Sequence, residues 1–142
     1  MKKLLCIIMC IFAALCFVGC KDKDKDLPAE PPLVELMART LSEEHEFAIV
    51  DDKGTVWLEN DDVTSVLVMY KKGQNRYLEL RFTEEGAKTF KKATKKAKNG
   101  TLSIVLDGEV LVSTVTANQE TPEYARADSV YEDVIGWFNK LT

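Results

Sequence analysis

The side chains best suited to metal or acid–base chemistry are one histidine and several carboxylates. His45 is the sole histidine of the chain and lies within the run Glu43-Glu44-His45-Glu46. A zinc site usually combines three or four His, Cys or acidic ligands at set spacings, and a Ser-His-Asp triad needs a nucleophile on a sharp turn. Neither pattern surrounds His45, so we predict a solvated helix end there, with no metal site and no catalytic residue.

The carboxylates fall where turns are expected. Two pairs occur, Asp51-Asp52 and Asp61-Asp62, and Asp107 precedes a glycine. Paired acid–base catalysis needs two carboxyls at a set separation with differently shifted pKa values, whereas Asp in a turn accepts hydrogen bonds from the local backbone. We predict the turn role for Asp51, Asp52 and Asp107. No P-loop, Rossmann glycine pattern or HExxH motif occurs, so the sequence predicts neither an enzyme nor a cofactor.

Cysteine offers a different chemistry, because all four cysteines lie within the first twenty residues. Two lysines precede a segment from Leu4 to Val18 that carries no charge. This is the pattern of a secretory signal peptide, and the segment is shorter than the roughly 20 apolar residues of a membrane-spanning helix. The segment runs into Phe17-Val18-Gly19-Cys20, which resembles the bacterial lipobox, with Phe17 where the family favours Leu.

The lipobox resemblance implies that residues 1–19 are cleaved and that Cys20 carries a lipid anchor of diacylglycerol and palmitate. Cleavage would leave 17 basic against 23 acidic residues, a net charge of −6, and no thiol for a disulfide or a metal. Lys21 is not the usual retention Asp, so the resemblance implies the outer membrane in a diderm cell. An uncleaved anchor or a signal peptide cut elsewhere is the alternative.

Residues 20–32 are predicted to be a tether, since they alternate Lys and Asp and then become rich in proline. Twelve extended residues reach about 40 Å. Residues 33–142 are predicted to form one domain, because the whole chain has 46% hydrophobic and 30% charged residues, which is typical of globular proteins. The acidic total argues against a nucleic-acid partner.

Hydrophobic spacing predicts three helices and three hairpins in that domain. A 3.6-residue period predicts a helix from Leu33 to about Glu44. Turn signals predict three hairpins. Cap signals predict a helix that begins after Thr83 and stops at Asn99-Gly100. They also predict a last helix that begins with the capping box Ser129-x-x-Glu132. The predicted hairpin strands are 47–50 with 55–58, 65–70 with 77–82, and 102–106 with 110–115.

These elements predict an α+β fold, a mainly antiparallel sheet built from hairpins with two to three helices packed on one face. Within the second hairpin, Tyr77, Glu79 and Arg81 alternate with apolar residues, so they are expected on a solvated face. Gly86 inside a helix indicates close backbone packing, expected against the sheet. Trp57 and Trp137 are expected to be core or rim residues rather than a sugar-stacking platform.

The stretch from about Leu58 to Thr116 resembles the extracytoplasmic head region of the SecD protein-export subunit. The resemblance rests on the run from Arg81 to Ala87, on Phe90 and Thr94, and on the run from Leu102 to Leu111. It implies the head fold and a protein or polypeptide partner in export or envelope protein handling. The glycine-rich segment of that family is absent, and the alternative is a structural envelope lipoprotein that kept the fold without an export role.

Six lysines on the predicted helix after Thr83 leave two interpretations open. They form either a patch for anionic lipid headgroups or an acidic partner, or a solvated face with cations gathered near the helix C-terminus, where the macrodipole favours them. The lysines are Lys88, Lys91, Lys92, Lys95, Lys96 and Lys98.

Overall fold

The computed structural model describes residues 33–142, which form one eight-stranded antiparallel sheet and two α-helices. The strand order across the sheet is β1-β4-β5-β8-β7-β6-β2-β3, so β1 and β3 are its edges. The strands are β1 (Leu33–Arg39), β2 (Phe47–Val50), β3 (Val56–Glu59), β4 (Val63–Lys71), β5 (Tyr77–Phe82), β6 (Leu102–Leu106), β7 (Glu109–Ala117) and β8 (Ala125–Asp128). The helices are α1 (Glu84–Lys96) and α2 (Tyr131–Leu141).

The three predicted hairpins are confirmed, as β2–β3, β4–β5 and β6–β7. Their turns follow the local chemistry that predicted them. In the β6–β7 turn, Asp107 and Gly108 both have positive φ, 52° and 82°, which a two-residue turn matching the strand twist requires. A short 3₁₀ turn, Asn60–Asp62, connects β3 to β4.

The predicted first helix is wrong, because residues 33–39 form the edge strand β1 and pair with β4. Leu36 is an extra residue in that strand: the register passes from Glu35 opposite Met69 to Met37 opposite Val68. Such a bulge reverses the face on which the following side chains lie. The apolar spacing of a bulged strand therefore imitates the spacing of a helix.

Helix α1 begins as predicted, since the Thr83 hydroxyl accepts a hydrogen bond from the Gly86 N–H at 3.1 Å. The predicted stop at Asn99-Gly100 is wrong, because the helix ends at Lys96 and Ala97 after it is extended. Asn99 and Gly100, both at positive φ, lie in a separate 3₁₀ turn, Lys98–Gly100. Glu84 and Glu85 lie in the first turn, where negative charge stabilises the helix.

Strand β8 and the start of α2 differ from the prediction. Residues 125–128 were not predicted to be a strand, yet β8 lies between β5 and β7 and pairs with both. Helix α2 has Val130 at its N-cap with no side-chain cap, so the predicted Ser129 capping box is wrong. The Ser129 hydroxyl instead donates to Asp133 at 2.6 Å.

One apolar cluster joins the sheet to both helices. Phe90 of α1 and Phe138 of α2 are completely buried in it, together with residues from most of the strands. The cluster also holds Ala93, Val134 and Leu141 from the helices and Ile49, Leu58, Val66, Val68, Leu78, Leu80 and Ile104 from the strands. The domain is therefore α+β around a single main core, as the sequence predicts.

Candidate functional site

Four valines lie on the side of the sheet that faces away from the main core. Side chains alternate along a strand, and Ile49, Leu58 and Ile104 point into the core. Their neighbours Val50 and Val105 therefore lie on the opposite face. Val50 pairs with Val56, and Val105 pairs with Val110, so all four share that face. We call Val50, Val56, Val105 and Val110 the valine surface.

The valine surface is open to solvent and borders a shallow groove. Val56 is 51% exposed and Val110 is 62% exposed, and together with Val50 and Val105 they form one group rather than scattered single side chains. A groove of about 410 Å³ is lined by Val50, Val56 and Val105, and its rim carries three carboxylates, Glu46, Glu59 and Asp61. The surface thus combines exposed apolar side chains with negative charge.

The groove reaches an open edge of the sheet. Strand β3 is the last in the strand order, so within residues 33–142 no strand pairs with its outer side. The outward N–H and C=O groups of an edge strand can pair with an added strand. The charged Glu59 is the last residue of this short edge strand.

Side-chain hydrogen bonds hold the groove walls in place. The side-chain oxygen of Asn60 accepts a hydrogen bond from the backbone N–H of Phe47 at 2.9 Å. The side-chain NH2 of Asn60 donates a hydrogen bond to the backbone carbonyl of His45 at 2.9 Å. Asp51 closes the β2–β3 turn, since it accepts from the N–H groups of Lys53 and Thr55, each at 2.9 Å. The groove is therefore preformed.

Asp51 also binds Trp57, whose indole N–H donates to the second carboxyl oxygen at 3.0 Å. This hydrogen bond and those from the turn backbone lower the pKa of Asp51 below its usual range, despite the opposing effect of desolvation. Trp57 and Trp137 are partly buried and pack against the main core, so the predicted packing role of both is confirmed. The turn role predicted for Asp51 is confirmed too.

His45 is not at a helix end, and that prediction is wrong because the chain before it is a strand followed by a loop. Its ring Nδ1 lies 2.6 Å from Oδ2 of Asp107, and Oδ1 of Asp107 accepts from the Glu46 N–H at 2.9 Å. The Glu46 N–H and His45 together lower the pKa of Asp107. Asp107 lies in the β6–β7 turn as predicted, but its carboxylate binds the distant residues His45 and Glu46 rather than the local backbone, and so joins the loop before β2 to that turn.

Within residues 33–142, no hydroxyl hydrogen-bonds to the His45 ring. The same range holds no group of three His, Cys, Asp or Glu side chains that could bind a metal ion. Asp62 accepts from the Glu59 N–H at 2.9 Å and so caps the 3₁₀ turn rather than pairing with Asp61.

Glu79 is buried, which contradicts the predicted solvated face of β5. Only 1% of Glu79 is exposed, and Tyr77 beside it is 2% exposed. The carboxylate accepts from Arg81 Nε at 2.9 Å and from the Asn118 amide at 3.2 Å. Burial alone would lower the pKa of Arg81, but the hydrogen bond and charge of Glu79 raise it. Sequence alternation missed this polar cluster because it cannot show what lies over a strand.

Arg126 continues the polar cluster. Its guanidinium lies 3.8 Å from the centre of the Tyr77 ring and makes a bidentate contact with Asp128, with the shortest distance 2.7 Å. The hydrogen bond to Asp128 raises the pKa of Arg126 against the effect of desolvation. These charges are paired with each other, so we regard the cluster as structural.

Gly86 packs closely against backbone, as predicted, but against the 3₁₀ turn rather than the sheet. An added Cβ would lie 2.8 Å from the carbonyl oxygen of Asp62. Cys20, the predicted lipidation residue, lies outside the described residues. No helix within residues 33–142 is long and apolar enough to cross a membrane.

The fold is a small antiparallel α+β domain with an apolar groove beside one edge of its sheet. The family model of the SecDF P1 head subdomain matches residues 35–124 of the chain. The chain therefore belongs to the SecDF P1 head family, which relates it to protein export. Searches of curated proteins and of solved structures found no match. Strand β8 and helix α2 lie beyond the matched range but complete the sheet and the core.

Proposed function

We propose that the protein is an extracytoplasmic lipoprotein that binds polypeptide without catalysis and assists protein export or envelope protein handling. Membership of the SecDF P1 head family supports the relation to export. The signal-like segment 1–19, the lipobox-like Cys20 and the tether 20–32 support a lipid anchor that carries the 33–142 domain. The anchor lies in the outer membrane if the cell is diderm.

The observation that carries the binding role is the valine surface beside the open edge of β3. An extended peptide that adds to a sheet edge gains main-chain hydrogen bonds, and its alternate side chains enter pockets on the sheet face. In this proposal both helices pack on the face of the sheet opposite the valine surface, so a peptide can reach the valine surface. The occupant is an extended segment with apolar residues and Lys or Arg, because Glu46, Glu59 and Asp61 surround the apolar groove.

Photo-crosslinking in intact cells tests this proposal. A photoreactive amino acid replaces Val56 or Val110 on the valine surface, and Glu132 or Lys72, both exposed and on other elements, in the controls. We expect adducts to translocating precursors or export components at the two valine positions and not at the controls. Adducts only to an unrelated envelope protein, or none above the controls, would favour a structural lipoprotein that kept the fold alone.

The anchor has a separate test. Cells are fed a clickable palmitate analogue, and the protein is compared with its Cys20→Ser and Cys16→Ser variants. We expect label on the natural protein and on Cys16→Ser, and none on Cys20→Ser. Label that survives Cys20→Ser would refute lipidation at Cys20.

A further inference from the structure

Helix α1 and the 3₁₀ turn Lys98–Gly100 that follows it carry six lysines. Lys88, Lys91, Lys92, Lys95, Lys96 and Lys98 are all exposed. Lys88 forms an ion pair with Glu84 at 3.2 Å, and Lys96 lies 5.6 Å from the centre of the Trp57 ring. The other four form no ion pair with any acidic side chain of residues 33–142. We call Lys88, Lys91, Lys92, Lys95 and Lys98 the lysine face.

The lysine face is a positive region on a negative domain. Five of the 19 basic and four of the 23 acidic residues precede residue 33, which leaves 14 basic against 19 acidic residues in the described range. Six of those 14 lie between residues 88 and 98. An anionic partner is therefore attracted to one side of the domain and repelled by the rest, so the charge distribution favours one orientation.

The four arginines of the described range lie elsewhere and have structural contacts. Arg81 pairs with the buried Glu79 and Arg126 with the exposed Asp128. Arg39 and Arg76 lie over aromatic rings. Arginine suits a defined anionic site because its planar fork binds carboxylate or phosphate at two points, whereas lysine is a flexible point charge. A face made only of lysine therefore suits a surface of diffuse negative charge more than a shaped acidic site on a protein.

The apolar side of α1 cannot enter a bilayer, because Phe90 and Ala93 are completely buried in the core. Contact with lipid would be electrostatic and would depend on salt. We propose that the lysine face of α1 rests on an anionic lipid surface. This contact orients the domain so that the valine surface, on the side of the sheet away from the core, points away from the lipid.

Lysine acetylation of the full chain on vesicles tests the contact. Vesicles of neutral phosphatidylcholine, with or without about one third phosphatidylglycerol, are mixed with the protein and isolated by flotation. A membrane-impermeant acetylating reagent then labels exposed lysines, which mass spectrometry quantifies one by one. Lys53, Lys72 and Lys140 are exposed lysines on other elements and serve as internal controls.

We expect the lysine face to be labelled on the order of fivefold more slowly on anionic than on neutral vesicles, because each lysine near an anionic surface contributes about 1 kcal/mol, which corresponds to a factor of about five. The controls should not change. Salt at about 1 M shortens the screening length to about 3 Å and should remove the protection. Equal labelling on both kinds of vesicle, or equal protection of the controls, would overturn the proposal.

Two variants with the same net charge separate position from total charge. The first carries Lys91→Gln, Lys92→Gln and Lys95→Gln, and the second carries Lys53→Gln, Lys72→Gln and Lys140→Gln. We expect Lys88 and Lys98 to lose protection in the first variant and to keep it in the second. Equal loss of protection at Lys88 and Lys98 in both variants would overturn the proposal. Soluble polyglutamate that protects the lysine face as well as anionic vesicles do would also overturn it, and would assign the lysine face to an acidic polypeptide.

Discussion

Alanine should have opposite effects at the two helical glycines, because their surroundings differ. At Gly86 an added Cβ would lie 2.8 Å from the Asp62 carbonyl oxygen and 3.1 Å from Thr83 Oγ1, whereas ordinary contacts begin near 3.4 Å. At Gly136, in the middle of α2, the added Cβ would meet nothing within 4 Å. The same substitution thus tests a close contact at one site and helix propensity alone at the other.

The Asp62 carbonyl cannot withdraw freely from a methyl group at position 86. It accepts a hydrogen bond from the Thr83 N–H at 2.8 Å, and Thr83 is the N-cap of α1. Overpacking typically costs about 1–3 kcal/mol, and the higher helix propensity of Ala offsets at most about 1 kcal/mol of that. We therefore expect Gly86→Ala to lower the free energy of unfolding by about 1–2 kcal/mol and Gly136→Ala to raise it by up to about 1 kcal/mol.

Urea unfolding of the purified protein, followed by fluorescence of Trp57 and Trp137, measures both changes. In a domain of this size 1 kcal/mol corresponds to roughly 4–8 °C in Tm, so thermal unfolding gives an independent measure. A Gly86→Ala variant as stable as the natural protein would refute the close packing of α1 on the 3₁₀ turn. A destabilised Gly136→Ala variant would refute the open surroundings of that glycine.

Two further predictions concern carboxylates. Glu79→Ala leaves Arg81 and Asn118 without their shared buried partner, so we expect a loss of about 3 kcal/mol in urea unfolding, and a loss below about 0.5 kcal/mol would show that Glu79 is solvated. Hydrogen bonds lower the pKa of Asp51 in the folded state below its usual value of 3.8. These bonds therefore stabilise the folded protein at pH values above 3.8, and the stabilisation is lost as the pH falls through the folded-state pKa. Stability measured at pH 7 and pH 3 should therefore fall less in Asp51→Asn than in the natural protein, and an equal fall would contradict this role.

Local signals in the sequence predicted the elements that depend on a few neighbouring residues. Asp107-Gly108 specifies its turn because two consecutive residues must have positive φ, which Asp tolerates and Gly favours. Thr83 specifies the start of α1 because its hydroxyl replaces a missing partner for a helix N–H. The turn role of Asp51 and the core positions of α1 follow from the same short-range rules.

Strand pairing with distant residues decided what the sequence left open. The first segment became a strand because β4 offers it an edge about 30 residues later and the bulge at Leu36 aligns Met37 with the core. The segment Ala125–Asp128 has no β-branched residue, and it became β8 because β5 and β7 present partners on both sides. Glu79 became buried for the same non-local reason. The valine surface also depends on this pairing, since only the register of β2, β3, β6 and β7 places four separate valines on the same face of the sheet.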